Sequence, residues 1–185
     1  MTEIEPLSWQ PWSAAPDLLA PPTAAALAAW EAASPGATAT VQVAAIDPEL
    51  ADTAAFCARY GVTPQQSANC VVVAGRRGDV TRHAACLVLA DTRADVNGVV
   101  RKRLDARKAS FAPLDETVAA TAMEYGGITP VGLPADWPVW LDARVAAAPW
   151  IVIGSGVRGS KLSLPGSTLL AYPGTEAVDA LANPT

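Results

Sequence analysis

The sequence predicts a single α/β domain with a mixed, mostly antiparallel central sheet flanked by helices. Three observations predict it. The chain has 185 residues, a length that suits one domain and can bury a full core without disulfides or metals. Short apolar runs at Cys70–Ala74, Ala84–Ala90, Val139–Leu141 and Trp150–Ile153 have strand length. Helix signals fall between them without strict alternation, which argues against a doubly wound parallel sheet.

Residues 1–36 read as an N-terminal extension. Pro6, Pro11, Pro16, Pro21, Pro22 and Pro35 punctuate it, at a density that opposes helix interiors and sheet ladders. Within it, Thr23 is placed to cap a short alanine helix to Ala33, with Leu27 and Trp30 on one face. The rest reads as a loosely docked or disordered leader. The main domain is expected over 37–185. Thr38–Ile46 has a strand pattern, and Asp47-Pro48 opens a helix with Leu50, Ala54 and Cys57 inside, ended by Gly61. Gly75–Asp79 turns the first two apolar runs into a hairpin. Asp95 caps a second helix, Lys108–Ala112 is a short strand, and Asp115 caps a third helix running to Tyr125. Lys161–Leu164 pairs back on Trp150–Ile153.

Composition narrows the function classes. Hydrophobic residues make up 51% of the chain, much of it alanine, and no run approaches the ~20 apolar residues that cross a bilayer. The start Met-Thr-Glu-Ile-Glu carries no early basic residue, so no signal peptide is expected. Cys57, Cys70 and Cys86 lie in apolar stretches and read as reduced thiols, so the expected compartment is the cytoplasm. Net charge is −5, yet nine of the thirteen Lys and Arg residues lie between Arg76 and Lys108, against four aspartates. That segment is +5: either a solvated helix face with a hairpin tip, or a patch for a polyanion.

Two glycine-rich stretches remain. Gly154-Ser-Gly156-Val-Arg-Gly159 fits the G-x-G-x-x-G pattern, but Ser160–Leu164 then alternates with period two where a dinucleotide site needs a helix. It reads as a hairpin turn. In Gly126-Gly127-Ile128-Thr129-Pro130, two glycines leave backbone N–H groups exposed and Pro130 stiffens the loop. Such a loop is a receptor for a carbonyl oxygen or oxyanion, or a plain helix-ending turn. His83 is the sole imidazole and reads as an edge residue. Cys70 reads as a buried thiol in preference to a nucleophile. Trp137, Trp140 and Trp150 read as core.

From about Ala37 to Ala182 the sequence resembles the YbaK/EbsC family, the editing domains associated with prolyl-tRNA synthetase. The resemblance rests on Ala68-Asn-Cys-Val-Val-Val73, Lys108-Ala-Ser-Phe-Ala112, the Gly-x-x-x-Pro loop, Trp140-Leu-Asp142 and Ile153-Gly-Ser-Gly-Val-Arg-Gly159, in register. It implies hydrolysis of a small amino acid wrongly esterified to tRNA, usually tRNA for proline, without a metal or other cofactor. Loop amides of Gly126, Gly127 and Ile128 would then hold the aminoacyl carbonyl, with Thr129 and Pro130 beside them, while the terminal ribose hydroxyl helps orient a water. Asp142 would orient the substrate amino group or cap the next helix, and Ser155 and Gly156 would touch ribose or phosphate. Arg76, Arg77, Arg101, Lys102 and Arg103 would meet the tRNA backbone. The family generally carries lysine where this chain has Asn69; Lys161 or Lys108 could supply a charge instead. The alternative is a non-catalytic module binding tRNA, an aminoacyl group or a partner protein. The sequence assigns no oligomeric state.

Overall fold

The computed structural model describes residues 4–185, so the Met1–Glu3 start lies outside it. Among the described residues eleven strands form three sheets, and six of the eight strand pairings are antiparallel. The central sheet has the order β10-β7-β4-β3-β6, with β3 Ala68–Arg77, β4 Val80–Leu89, β6 Lys108–Phe111, β7 Val139–Asp142 and β10 Thr175–Val178. The two parallel pairings in it are those of β7 with β10 and with β4. A second sheet, β1-β2-β9-β8, is antiparallel throughout: β1 Gln10–Pro11, β2 Gln42–Ala45, β8 Ile151–Gly154 and β9 Ser160–Leu164. Strands β5 Thr92–Ala94 and β11 Ala182–Pro184 make a small third sheet. The mixed, mostly antiparallel architecture is the one the sequence predicts.

The apolar run of β4 is continuous because both of its faces are covered. Ala85, Leu87 and Leu89 pack with Leu27, Trp30, Leu141, Ile153 and Leu164, between the two larger sheets and α1 (Pro21–Ala33). Ala84, Cys86 and Val88 pack on the opposite side with Val100, Leu104, Trp140 and Leu181. A bridge from Ser67 to Val152 joins the entry of β3 to β8 and so ties the two larger sheets together at one corner.

Several elements depart from expectation. The leader is docked: β1 pairs with β2, Leu19 and Ala20 are buried, and the Ser160 hydroxyl donates to the Leu18 carbonyl. Prolines 11, 16 and 21 sit at strand ends and first turns, where the lost N–H costs nothing. Helix α1 therefore starts at Pro21, with Thr23 buried inside it instead of capping it. The strand at 38–46 shortens to β2. The helix after Asp47 splits into a 3-10 turn, Pro48–Leu50, and α2 (Thr53–Tyr60), which Asp52 caps through the Ala54 N–H at 3.0 Å and which buries Phe56. Gly61 ends it at φ 69° as expected. Asp95 caps a π-helical turn, Val96–Val100, that runs into α3 (Arg101–Arg103). Helix α4 spans Leu114–Thr121, capped at Pro113 rather than Asp115, and stops because Ala122 takes a left-handed φ of 53°. Two short helices, α5 (Ala143–Ala146) and α6 (Gly166–Leu170), complete the layer beside the core.

Candidate functional site: a donor-lined cavity

The corner where β3 meets β8 opens into a cavity of about 330 Å³. Its walls come from four places: the capped start of α2 (Asp52, Thr53), the start of β3 (Asn69, Cys70), the loop after α4 (Tyr125, Gly126, Ile128) and the β8–β9 turn with Arg158 and Lys161. The two glycine-rich stretches meet here, and each fixes the other. The Glu124 N–H donates to the Gly156 carbonyl at 2.8 Å, and the Gly156 N–H donates to the Gly127 carbonyl at 2.7 Å. A Cβ on Gly127 would lie 2.5 Å from the Val157 backbone, and one on Gly154 would lie 2.4 Å from the Gly127 oxygen. Neither position has room for a side chain. The G-x-G-x-x-G match is thus a brace for the first loop, and it is a β-hairpin turn as expected.

Arg158 latches the assembly. Its guanidinium donates to the carbonyls of Tyr125 and Pro48, each at 3.1 Å, while its own N–H donates to Glu124 at 2.7 Å. Held in this way, the loop directs its amides differently from one another. The Gly127 N–H closes a turn on the Glu124 carbonyl at 3.0 Å, whereas those of Gly126 and Ile128 donate to no described residue. Both of these residues line the cavity; Gly127 is buried behind them. Backbone N–H groups held without a partner in residues that line a pocket can serve a developing oxyanion.

Opposite the loop, Asn69 Oδ1 accepts from the Thr53 hydroxyl at 2.6 Å, which holds the amide at the cavity wall without adding charge. The charged wall group is Lys161. It is 8% exposed, its ammonium donates to the Ala51 carbonyl at 3.2 Å, and it lies 5.4 Å from the Phe56 ring centre. Burial lowers its pKa to about 8, reinforced by the Arg158 charge. Cys70 touches the cavity, but burial holds its thiol far above the ordinary range, so no thiolate nucleophile is available there. Cys86 is likewise pushed up to about 12 by burial.

The structure separates the residues that the sequence grouped. Gly126, Ile128 and Asn69 come together; Gly127 supplies space and a turn, not a free amide. Thr129 is fully buried with its hydroxyl unpartnered, and Pro130 lines a different depression beside Trp137 and Tyr172. Ser155 is buried and bonded to Ser160 at 2.7 Å, and Gly156 packs against Ala20 and Thr23. Neither forms part of the cavity wall. Asp142 resolves as the helix cap. Its buried carboxylate accepts from the Arg144 N–H at 3.0 Å, the Arg144 side chain at 2.7 Å and the Ala182 N–H at 3.0 Å. It ties β7 to β11 and is not part of the cavity lining. Asp142→Ala is expected to cost about 2 kcal/mol in urea unfolding, the scale for losing a helix cap and leaving a buried N–H without its acceptor, with the cavity's chemistry unchanged in the folded fraction.

The basic segment is also sorted. Arg77 pairs with Asp105 at 2.5 Å, and Arg103 pairs with Glu176 while lying over Trp140. Arg76, Lys102 and Lys108 are exposed, and Arg76 stands directly opposite Lys108 across β3 and β6. Lys108 does not reach the cavity. His83 is not at a sheet edge as expected: it is half-buried near the start of the interior strand β4 and stacks on Trp137 with ring centres 4.9 Å apart. Sequence reasoning missed Thr53 and the Arg158 latch. Aspartate directly before Thr53-Ala-Ala was a cap signal that could have placed the first.

Fold and site together define a mixed-sheet α/β domain with a rigid, donor-lined cavity suited to an acyl carbonyl. The chain belongs to the aminoacyl-tRNA editing domain family, whose model matches residues 47–172. A solved structure described as a candidate trans-editing enzyme for prolyl-tRNA synthetase superposes with a TM-score of 0.70 at 20% identity, covering 87% of this chain and 97% of that one. Hypothetical protein APE2540 superposes with a TM-score of 0.68 at 19% identity, covering 85% of this chain and 99% of the other. At these identities the likeness concerns the fold. No curated protein matches the sequence significantly. Among the described residues no helix is long and apolar enough to cross a membrane, and no three His, Cys, Asp or Glu side chains are grouped to hold a metal ion.

Proposed function

We propose that this protein is a trans-acting aminoacyl-tRNA deacylase that removes a small amino acid wrongly esterified to tRNA, with tRNA for proline as the carrier. The observation that carries this reading is the pair of uncommitted N–H groups of Gly126 and Ile128 at the cavity wall. In the reaction a water oxygen adds to the ester carbonyl carbon, and the C=O electron pair moves to the carbonyl oxygen, which these N–H groups hold. The oxyanion collapses, the bond to the ribose oxygen breaks, and a proton from the water passes to that oxygen. Free amino acid and an uncharged tRNA 3′ end result. The ribose hydroxyl next to the ester is placed to orient the water, so the protein's work is positioning and electrostatics. A cavity of about 330 Å³ lies at the small end of ligand pockets and fits a small aminoacyl group.

The exposed cations support the tRNA carrier and, with it, a cytoplasmic location. Arg76 lies seven residues along β3 from Asn69, roughly 24 Å at strand rise, so phosphates well back from the 3′ end could meet it. Arg76 facing Lys108 is a like-charge pair that a sheet disfavours and a phosphate would relieve. The Arg76→Glu, Lys102→Glu, Lys108→Glu variant is expected to bind tRNA more weakly, with the slope of log affinity against log salt reduced by roughly 2–3. Filter binding across a salt series measures it.

The uncharged Asn69 favours a second reading, a non-catalytic module that holds the aminoacyl end. Release of labelled amino acid from a panel of mischarged tRNAs, including alanyl- and cysteinyl-tRNA for proline, separates the two. Release above the spontaneous rate is the expected outcome. Bound tRNA without release from any member would favour the module.

A further inference from the structure

Every residue of β9 is buried, and Lys161 is one of them. Its strand neighbours in register are Ala44 and Gly154, which leave its side chain free to run toward the cavity. The groups that face the ammonium are Asp52 and Cys57 from α2 and its cap, Arg158 from the β8–β9 turn, and the Phe56 ring. Among the described residues no carboxylate comes within ion-pair distance of it, and the Ala51 carbonyl is its one hydrogen-bond acceptor. An ammonium carries three donors, so two remain for whatever occupies the cavity. Burying a charge with so few partners is costly, and a methionine would fill similar volume without that cost. One hydrogen bond and one ring contact are small returns to the fold for a buried charge.

We propose that Lys161 is the charged donor of the cavity, acting with the Gly126 and Ile128 N–H groups on the oxygen that becomes negative as water adds to the ester. Asn69, on the opposite wall, leaves that task unfilled, and the two residues border one space. The inference rests on the deacylase reading. The charge enters from β9, on the second sheet, instead of from β3 on the central one. Because Lys161 titrates near 8, the contribution it makes is complete below that pH and falls away as the pH rises through it.

The test uses the full chain on the best mischarged tRNA from the panel. Lys161→Met is expected to lower kcat by roughly 10²–10³-fold, the scale for loss of one oxyanion donor, with KM within about threefold because binding is shared with the rest of the tRNA surface. The wild-type to K161M ratio should be largest below pH 8 and shrink roughly tenfold per unit above it. Returning the charge from the other wall, in Asn69→Lys with Lys161→Met, should recover at least about tenfold. A folded K161M within threefold of wild type overturns the inference and leaves the deacylase standing. So does a loss that appears in KM with a ratio indifferent to pH, since that marks a structural lysine. Wild-type protein that releases nothing overturns the deacylase and this inference with it.

Discussion

Gly127→Val is expected to abolish amino-acid release while leaving the protein folded. The clash is with backbone: a Cβ at this position lies 2.5 Å from both the carbonyl carbon and oxygen of Val157, and 2.7 Å from its nitrogen. No rotamer relieves it, so the loop from Glu124 to Ile128 must move away from the β8–β9 turn. Three backbone hydrogen bonds register that loop, from Gly127 to Glu124, Glu124 to Gly156 and Gly156 to Gly127. Losing the register redirects the Gly126 and Ile128 amides, and a displacement of about 1 Å is enough to cost ~10²-fold. With two donors affected, a loss of roughly 10³-fold in kcat is expected from single-turnover release. Overpacking should cost about 1–3 kcal/mol of stability, read as a melting temperature lower by a few degrees. Gly154→Ala approaches the same loop from the other side, at 2.4 Å from the Gly127 oxygen, and should act in the same direction. An active Gly127→Val would show that the loop's position does not matter to the chemistry.

Lys161→Met is expected to raise stability as it removes activity. The folded state holds this lysine near pKa 8 against an ordinary 10.5, because burial disfavours the charged form. Between those two values the unfolded chain binds the proton and the folded chain does not, so stability rises with pH across pH 8 to 10.5. Below about pH 8 both states are protonated, and the folded state bears the full cost of the buried charge. Titration at about 8 in place of 10.5 corresponds to about 3 kcal/mol at pH 7. Urea unfolding of wild type and K161M at pH 7 and pH 10 measures it: the variant should be more stable at pH 7, and the difference should narrow at pH 10. A variant less stable than wild type at pH 7 would mean that the lysine's packing, over Phe56 and against Ala51, outweighs its charge. Stability given up at a cavity wall in this way is the usual relation between a working site and its fold.

Much of the fold was legible because local and tertiary forces agree along most of the chain. The hairpin of β3 and β4 announced itself in two apolar runs around Gly75–Asp79, since strands covered on both faces need no alternation. Asp95 and Gly61 sat where caps belong and proved to be caps. Other elements were decided by contacts that sequence does not display. The proline-rich leader looked loose, yet Leu19, Ala20 and β1 are held by β2 and β9, which are distant in sequence. The end of α4 was misplaced because its left-handed residue is Ala122, which carries no glycine signal. At the site, two glycines and a proline marked the right loop, but the facing of each amide depends on the Gly154–Arg158 turn, more than twenty residues away. Asp142 looked equally apt for substrate or cap until β11 supplied the Ala182 N–H that claims it. Lys161 was one of two lysines the sequence offered in place of Asn69, and only the fold, which puts it and not Lys108 at the cavity, separates them.

In the proposed reaction the aminoacyl carbonyl binds at the Gly126 and Ile128 amides. The most direct test is an NMR titration of the ¹⁵N-labelled protein with an adenosine bearing alanine through a 3′ amide, a non-hydrolysable mimic of the charged tRNA end. The expected result is that the largest backbone amide shifts fall on Gly126 and Ile128, with smaller ones at Asn69 and the residues flanking Lys161. Shifts confined to other surfaces, such as the groove between Arg82 and Trp140, with the two loop amides unmoved under saturation, would contradict it.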